Sequence, residues 1–184
     1  MTDDSSVAGV VLAAGEGKRF GGPKAPFEYD GERLVDRAVR VLREAGCDPV
    51  FVILGAWEGN VDDALVIVNH GWEEGMGSSL RIALKWVNAT TEADYAMVTL
   101  VDLPGLTGAA VQRLIDAPPG IAIASYEGER GHPVRIPRVH FRELIDTVAG
   151  DEGARAFLAG QADVAFVEVG DVARGVDLDV APTP

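Results

Sequence analysis

The apolar positions of the chain fall into short runs that alternate with segments of helical periodicity. Several runs are continuously aliphatic, as expected for strands of a parallel sheet that is covered on both faces. The predicted strands are residues 7–13, 49–55, 64–69, 95–101, 120–125, 132–136 and 163–169. The predicted helices are residues 34–45, 79–88, 108–116, 138–148 and 152–160. This order predicts an α/β fold, a three-layer sandwich with a mostly parallel, Rossmann-like sheet.

Local signals refine this prediction at the ends of the elements. Gly46 is a suitable C-terminal stop for the first helix. Ser78 is a candidate N-cap for the second helix and Thr107 for the third. The segment 120–136 contains the turn "YEGERG" between two apolar runs, so we expect an antiparallel strand there. No linker or repeat divides the chain, and we predict a single domain over residues 1–184.

Composition excludes several classes of protein. The 184 residues are 47% apolar and 24% charged, which is typical of neither a disordered chain nor a membrane protein. A net charge of −13 disfavours binding to nucleic acid or to an anionic membrane. The start "MTDDSSVAG" lacks the features of a signal peptide, so we expect a cytoplasmic location. The single cysteine, Cys47, is interpreted as a small structural hydrophobe.

The stretch "VAGVVLAAGEGKRFGGPKAPF", residues 7–27, has a different character from the rest of this acidic chain. Three cations, Lys18, Arg19 and Lys24, share a loop with four glycines directly after the first predicted strand. Glycine lets a ligand approach the backbone closely, and ligands of parallel sheets bind beyond the carboxyl ends of the strands. The loop therefore predicts a local anion site.

Two common phosphate-binding designs do not fit this loop. A P-loop needs a lysine after its second glycine, but Pro23 stands there. A dinucleotide-binding turn needs GxGxxG opening into a helix, whereas Gly15, Gly17 and Gly21 give GxGxxxG, one residue too long. The remaining design is a long loop whose backbone N–H groups face phosphates while Arg19 and Lys24 reach over them.

This third design resembles the signature "LAAGxGxRxGxxK" of nucleotidyltransferases with a sheet of the nucleotide-diphospho-sugar transferase type. The matching positions are Leu12, Ala13, Ala14, Gly15, Gly17, Arg19, Gly21 and Lys24. The resemblance implies that this loop binds the triphosphate of a nucleotide, with Arg19 and Lys24 holding the phosphates.

A second glycine-rich stretch, "NHGWEEGMGSSLRIAL" at residues 69–84, also follows a predicted strand. Glycines before a helix N-terminus allow a planar base to lie against the backbone, although a plain turn with a serine cap is the alternative. The stretch closely resembles the "WEEGMGSSL" segment of molybdenum cofactor cytidylyltransferases. The resemblance implies base and ribose contacts from Gly75, Gly77 and Ser78. Trp72, Glu73 and Glu74 match as well and receive no role.

A carboxylate follows the fourth predicted strand in "TLVDLPGLT". Asp102 is placed to hold a hard cation such as Mg²⁺, the alternative being a turn former or helix cap. The family's D-x-P metal motif supports the first interpretation. In "GVDLDVAPTP", Asp179 is the predicted second metal ligand and Asp177 the alternative. The chain departs from the family's usual "D-x-DTPED" ending here.

Two further matches resemble the family's "GHPV" and "GDxGAR" segments, at residues 131–134 and 150–155. The resemblance implies that His132 shapes the site or contacts the second substrate. It also implies that Arg155 binds an anionic group of that substrate. His70 and His140 lack partners at metal-ligand spacing and receive no role.

Together these matches imply a Mg²⁺-dependent transfer of a nucleotidyl group from an NTP to the phosphate of the molybdenum-pterin cofactor, with release of pyrophosphate. Because cytidylyl members of the family read "LAAG" where guanylyl members read "LAGG", CTP is the expected donor and GTP the alternative. A molybdenum oxidoreductase is the expected recipient of the product. Three alternatives stay open: a non-catalytic accessory protein that carries the cofactor, an NAD(P)-using oxidoreductase on the same scaffold, and a sugar-phosphate nucleotidyltransferase.

Overall fold

The computed structural model describes residues 5–150 and 154–180, which form an α/β structure. Its strands are β1 (Val7–Leu12), β2 (Glu28–Tyr29), β3 (Glu32–Arg33), β4 (Val50–Leu54), β5 (Leu65–Val68), β6 (Tyr95–Leu100), β7 (Ile121–Tyr126), β8 (Glu129–Pro137) and β9 (Val164–Glu168). Its α-helices are α1 (Leu34–Glu44), α2 (Met76–Thr90), α3 (Gly108–Ile115), α4 (Phe141–Thr147) and α5 (Arg155–Ala159). Short 3₁₀ turns span Trp72–Glu74 and Arg138–His140.

The predicted strands and helices are present, with ends that differ by a few residues. The helix predicted at 152–160 corresponds to α5, and its predicted residues 152 and 153 lie outside the described residues. Helices cover both faces of the central sheet, so the predicted three-layer fold is confirmed.

The central sheet has seven strands in the order β5-β4-β1-β6-β8-β7-β9. Neighbouring strands are parallel, except that β8 runs antiparallel to both β6 and β7. The chain leaves β1 toward β4 and β5, then crosses back to β6 on the other side of β1. The loops after β1 and β6 therefore diverge at a topological switch point, where α/β sheets bind their ligands.

The predicted antiparallel strand is confirmed and is longer than expected. A two-residue turn, Glu127-Gly128, joins β7 to β8, with φ angles of 54° and 85°. Positive φ at both central positions is the type I′ pattern, whose twist matches that of the flanking strands. The strand therefore begins at Glu129, three residues earlier than its apolar run indicates.

Apolar layers lie on the two faces of the sheet. On one face α1 and α3 pack against the sheet, and on the other face α2 and α4 do so. The first helix ends as predicted, since Gly46 has a φ of 87° and its N–H donates to the Arg43 carbonyl. Cys47 follows, 1% exposed, and burial raises the pKa of its thiol to about 12, which agrees with a structural role.

The second helix corrects one prediction. It begins at Met76, and Gly75, with a φ of 100°, takes the N-cap position predicted for Ser78. Ser78 lies one turn inside, where its Oγ donates to the Gly75 carbonyl at 2.8 Å. The prediction was wrong because a glycine before the apolar periodicity begins can start a helix without a side-chain cap. Thr107, by contrast, caps α3 as predicted, accepting from the Ala110 N–H at 3.2 Å.

The hairpin of β2 and β3 was not predicted, because strands of two residues are too short to show periodicity. Its turn, Asp30-Gly31, has φ angles of 52° and 78°. Among the described residues, no helix combines the length and apolar character that crossing a membrane requires.

Candidate functional site

A cleft of about 620 Å³ opens at the switch point, over the carboxyl ends of β1 and β6. The loop after β1 forms one wall and the start of α2 forms the opposite wall. Predicted site residues that line the cleft are Leu12, Ala13, Ala14, Gly15, Gly17, Lys24, Gly75 and Asp102. Of the other residues predicted to contact the nucleotide or the metal, Arg19, Gly21, Gly77, Ser78 and Asp179 are not among the lining residues.

The glycine loop folds around one carbonyl. The oxygen of Gly17 accepts from the N–H groups of Phe20, Gly21 and Gly22 at 2.9–3.1 Å. Gly17 has a φ of 62°, and a Cβ there would lie 1.9 Å from the Gly22 oxygen. Only glycine fits this position. Gly15 is different, because a Cβ there would meet nothing within 4 Å.

Lys24 and Asp102 meet inside the cleft. Lys24 Nζ lies 2.7 Å from Asp102 Oδ2, and the two side chains are 14% and 19% exposed. The other carboxylate oxygen, Asp102 Oδ1, is buried and has no hydrogen-bond partner among the described residues. A buried, unpaired carboxylate oxygen is costly, and in a ligand cleft it is available to a bound cation.

The C-terminal segment brings a second carboxylate to this pair. The Leu178 N–H donates to the Asp102 carbonyl at 2.9 Å, which holds the segment beside the loop after β6. Asp179 Oδ1 lies 3.8 Å from Lys24 Nζ and 3.6 Å from Arg19 Nη2. The Arg19 side chain is 83% exposed and lies at the rim. The predicted charged residues therefore lie around the mouth of the cleft, with Lys24 and Asp102 inside and Arg19 outside.

Gly77 and Ser78 do not face this cleft. The Gly77 N–H donates to the Gly150 carbonyl at 2.8 Å, and a Cβ on Gly77 would lie 2.9 Å from that oxygen. The Ser78 hydroxyl is 3% exposed and accepts from Asn69 Nδ2 at 2.8 Å. Ser79, which is also 3% exposed and accepts from the same Asn69 Nδ2 at 3.0 Å, lines the cleft.

Several residues that line the cleft were not predicted. They are Glu16, Trp72, Glu73, Met76, Ser79, Leu100 and Val101, whereas Lys18, one of the three cations of the predicted anion site, also lines the cleft. Trp72 packs against Gly55, where a Cβ would lie 2.7 Å from the Trp72 Cβ. The "WEEG" match carried a signal for Trp72 and Glu73, but it did not indicate which of these side chains face the ligand.

A second cavity of about 400 Å³ adjoins the first and shares Met76 and Leu100 with it. Its floor is aliphatic and comes from β6, β7 and β8. Its polar residues are Arg130, His132, Arg155 and Asp177. Burial lowers the pKa of His132 to about 4, against the opposing influence of the Asp102 charge. The imidazole is therefore neutral near pH 7.

This fold, with a glycine loop after β1 and a carboxylate after β6, is of the nucleotide-diphospho-sugar transferase type. The chain belongs to the MobA-like NTP transferase family, whose domain model matches residues 9–165. The nucleotidyltransferase family predicted from the sequence is thereby confirmed.

Relatives of the chain carry different names. The nicotine blue oxidoreductase of Paenarthrobacter nicotinovorans is 37% identical over 195 residues, covering 97% of this chain and 94% of that protein. A probable molybdenum cofactor guanylyltransferase of Mycobacterium avium is 30% identical over 170 residues, covering 86% and 82% of the two chains. The crystal structure of Rv0371c from Mycobacterium tuberculosis H37Rv is 31% identical, with a TM-score of 0.81 over 96% of this chain and 93% of that chain. A complex of Rv0371C with manganese matches at 29% identity, with a TM-score of 0.75 over 94% of each chain.

Proposed function

We propose that this protein transfers a nucleotidyl group from an NTP to the phosphate of a pterin cofactor and releases pyrophosphate. The observation that carries the proposal is the meeting of Lys24 and Asp102, 2.7 Å apart, at the switch point of the sheet. Such a pair provides one cation for phosphate and one carboxylate for a metal ion. The family supports nucleotidyl transfer, and the guanylyltransferase name of a relative supports a molybdenum cofactor as the acceptor.

The first cavity suits the donor nucleotide. Gly15 leaves open space at the cleft, so phosphate groups can approach the backbone there. Lys24, and Arg19 from the rim, supply positive charge at the same mouth. In a chain of net charge −13, this local charge is needed to attract a triphosphate.

Asp102 and Asp179 are the proposed Mg²⁺ ligands. The unpaired, buried Oδ1 of Asp102 fits a cation ligand, and Mg²⁺ is commonly held by one or two carboxylates together with substrate phosphates. Among residues 5–150 and 154–180 no cluster of three or more His, Cys, Asp or Glu could hold a metal ion. The site therefore depends on the nucleotide to complete it. When bound, Mg²⁺ neutralises charge on the phosphates. The manganese complex of Rv0371C supports divalent metal binding in this family.

The second cavity suits the acceptor. Its aliphatic floor can hold a planar ring, while Arg130 and Arg155 can pair with an acceptor phosphate. The neutral imidazole of His132 can donate or accept a hydrogen bond with the acceptor without adding charge to the cavity. An acceptor phosphate oxygen would form a bond to the α-phosphorus, and the bond from that phosphorus to the bridging oxygen would break. Pyrophosphate would leave toward the glycine loop, beside Lys24.

CTP is the proposed donor because position 14 carries a methyl group. Ala14 lines the cleft, and its carbonyl accepts from the Ala56 N–H at 3.0 Å, which fixes its position. A glycine there would leave more room for a purine. Ala14→Gly should therefore shift the ratio of kcat/KM values toward GTP. Ala8→Gly is the matched control, since Ala8 lies on β1, packs in the core away from the cleft, and loss of its methyl group should lower stability without changing base preference.

The direct test is pyrophosphate release from each NTP with Mg²⁺ and phosphorylated pterin. Pyrophosphate release with CTP is expected, and the absence of release with every NTP would refute the transferase proposal. Asp102→Ala distinguishes a transferase from a non-catalytic carrier. A carrier would bind pterin without turnover and would keep its cellular function in this variant, whereas a transferase would lose it.

A second candidate is NAD(P)H-dependent reduction of an aromatic substrate. The observation that favours it is the 37% identity to nicotine blue oxidoreductase over 97% of the chain. Calorimetric titration of wild-type protein with NADH, NADPH and CTP separates the two candidates. Tighter binding of a reduced nicotinamide cofactor than of CTP, with turnover of a dye-like acceptor, would select the reductase.

A further inference from the structure

Met76 stands between the two cavities. Together with Leu100 it lines both of them, and its side chain remains 39% exposed. Leu100 ends β6 two residues before Asp102. At this boundary the side chain is accessible to a ligand in either cavity.

The backbone at Met76 is held firmly while the side chain is free. Met76 is the first residue of α2, and side chains on a helix incline toward its N-terminus, here toward the cleft. The next residue, Gly77, is bonded to the Gly150 carbonyl and has no space for a Cβ. One turn later Arg81 donates to the Val148 carbonyl at 3.3 Å. These contacts fix the helix start against residues 148–150.

We propose that Met76 is a positioning residue that forms, with Leu100, an apolar partition between the donor and acceptor cavities; this rests on the proposed function. A nucleotidyl transfer must cross this partition, because the α-phosphate belongs to one cavity and the attacking phosphate to the other. Methionine is unbranched and adaptable, so it can close around two substrates of different shape. Its thioether carries no hydrogen-bond donor to hold a water beside the reacting phosphorus.

The partition decides which nucleophile reaches the α-phosphorus. With Met76 in place, an oxygen of the acceptor phosphate forms the new P–O bond and pyrophosphate takes the electrons of the broken bond. If the partition is opened, water forms that bond instead, giving a nucleoside monophosphate, pyrophosphate and a proton. Excluding water is a recognised task of closed active sites, and here an identifiable side chain performs it.

The test measures transfer product and nucleoside monophosphate together, by chromatography of reactions with Mg²⁺, NTP and phosphorylated pterin. We expect Met76→Ala to raise the ratio of monophosphate to transfer product at least about tenfold and to raise KM for the acceptor. Met76→Leu should restore the wild-type ratio because it refills the volume. Trp86→Ala is the matched control, removing a 48% exposed apolar side chain from the same helix without lining either cavity.

The outcomes separate this inference from the proposed function. Wild-type transfer combined with an unchanged product ratio and acceptor KM in a folded Met76→Ala protein would overturn the inference alone. Equal effects of Met76→Ala and Trp86→Ala would also overturn it, since both would then reflect general loss of stability. Absence of transfer by the wild-type protein with every NTP would overturn the proposed function and the partition with it.

Discussion

Alanine substitutions at Gly17 and Gly15 should separate the folding of the glycine loop from its contact with nucleotide. At Gly17, a residue other than glycine at a φ of 62° costs about 1 kcal/mol. The new Cβ would also lie 1.9 Å from the Gly22 backbone oxygen, so the loop must shift. That shift disrupts the hydrogen bonds accepted by the Gly17 carbonyl, each worth about 1 kcal/mol.

Gly17→Ala should therefore lower the free energy of unfolding by about 4 kcal/mol, from the strain and the three hydrogen bonds together, which corresponds to roughly 8–16 °C in Tm for a chain of this size. Gly15→Ala is the matched control, because its φ is not positive and its Cβ meets nothing within 4 Å. Its Tm should equal that of the wild type, whereas CTP affinity should fall about tenfold because the methyl group enters the cleft.

Thermal unfolding gives the first quantity, and calorimetric titration with CTP and Mg²⁺ gives the second. An unchanged Tm for Gly17→Ala would refute the loop conformation described above. Unchanged CTP affinity in Gly15→Ala would mean that nucleotide does not approach the backbone at this position.

Three further predictions concern the buried polar groups. Burial lowers the pKa of His132 to about 4, against about 6.5 in an unfolded chain, so stability present above pH 6.5 is lost as the pH falls toward 4. Between pH 7 and 5 the free energy of unfolding, measured with urea, should fall by about 1–2 kcal/mol. His132→Gln should abolish this loss, whereas His70→Gln, at an exposed position, should keep it. An equal pH dependence of stability in the two variants would contradict the reasoning. Arg135→Met should lower the free energy of unfolding by at least about 3 kcal/mol, because Arg135 is 1% exposed and its guanidinium donates to four carbonyls at the end of α3 and in the following loop. An unchanged denaturation midpoint would argue against this role. Asp102→Asn should lower kcat about 100-fold or more, with less than a tenfold change in KM for NTP in the pyrophosphate assay; wild-type kcat would exclude Asp102 as a metal ligand.

The proposed reaction and the named relatives point to one scaffold that serves more than one chemistry. A relative called an oxidoreductase covers 97% of this chain at 37% identity, so overall similarity does not decide the reaction. The decision lies with particular side chains, because function belongs to the site rather than to the fold. Lys24 and Asp102 in the first cavity, and Met76 at its boundary, are where the substitutions above apply.

The sequence by itself determined the order of the strands and helices along the chain. Aliphatic runs and helical periodicity are local properties, so β1, β4 and β6 could be read directly, and Gly46 and Thr107 marked helix ends through local hydrogen bonds. The glycine loop was likewise predictable, because its glycines and cations are close in sequence. Its position after a parallel strand placed it at the ligand-binding edge of the sheet.

The tertiary structure alone decided which of these residues share a cleft. Lys24 and Asp102 are 78 positions apart, and their contact depends on the crossover that places β6 beside β1. The start of α2 is held by a hydrogen bond between Gly77 and Gly150, and the side chain of Asn69, which follows β5, donates to the hydroxyls of both Ser78 and Ser79. Such contacts join segments that are distant in sequence. The periodicity of apolar residues could not predict them, because it indicates only which face of a single helix or strand is buried.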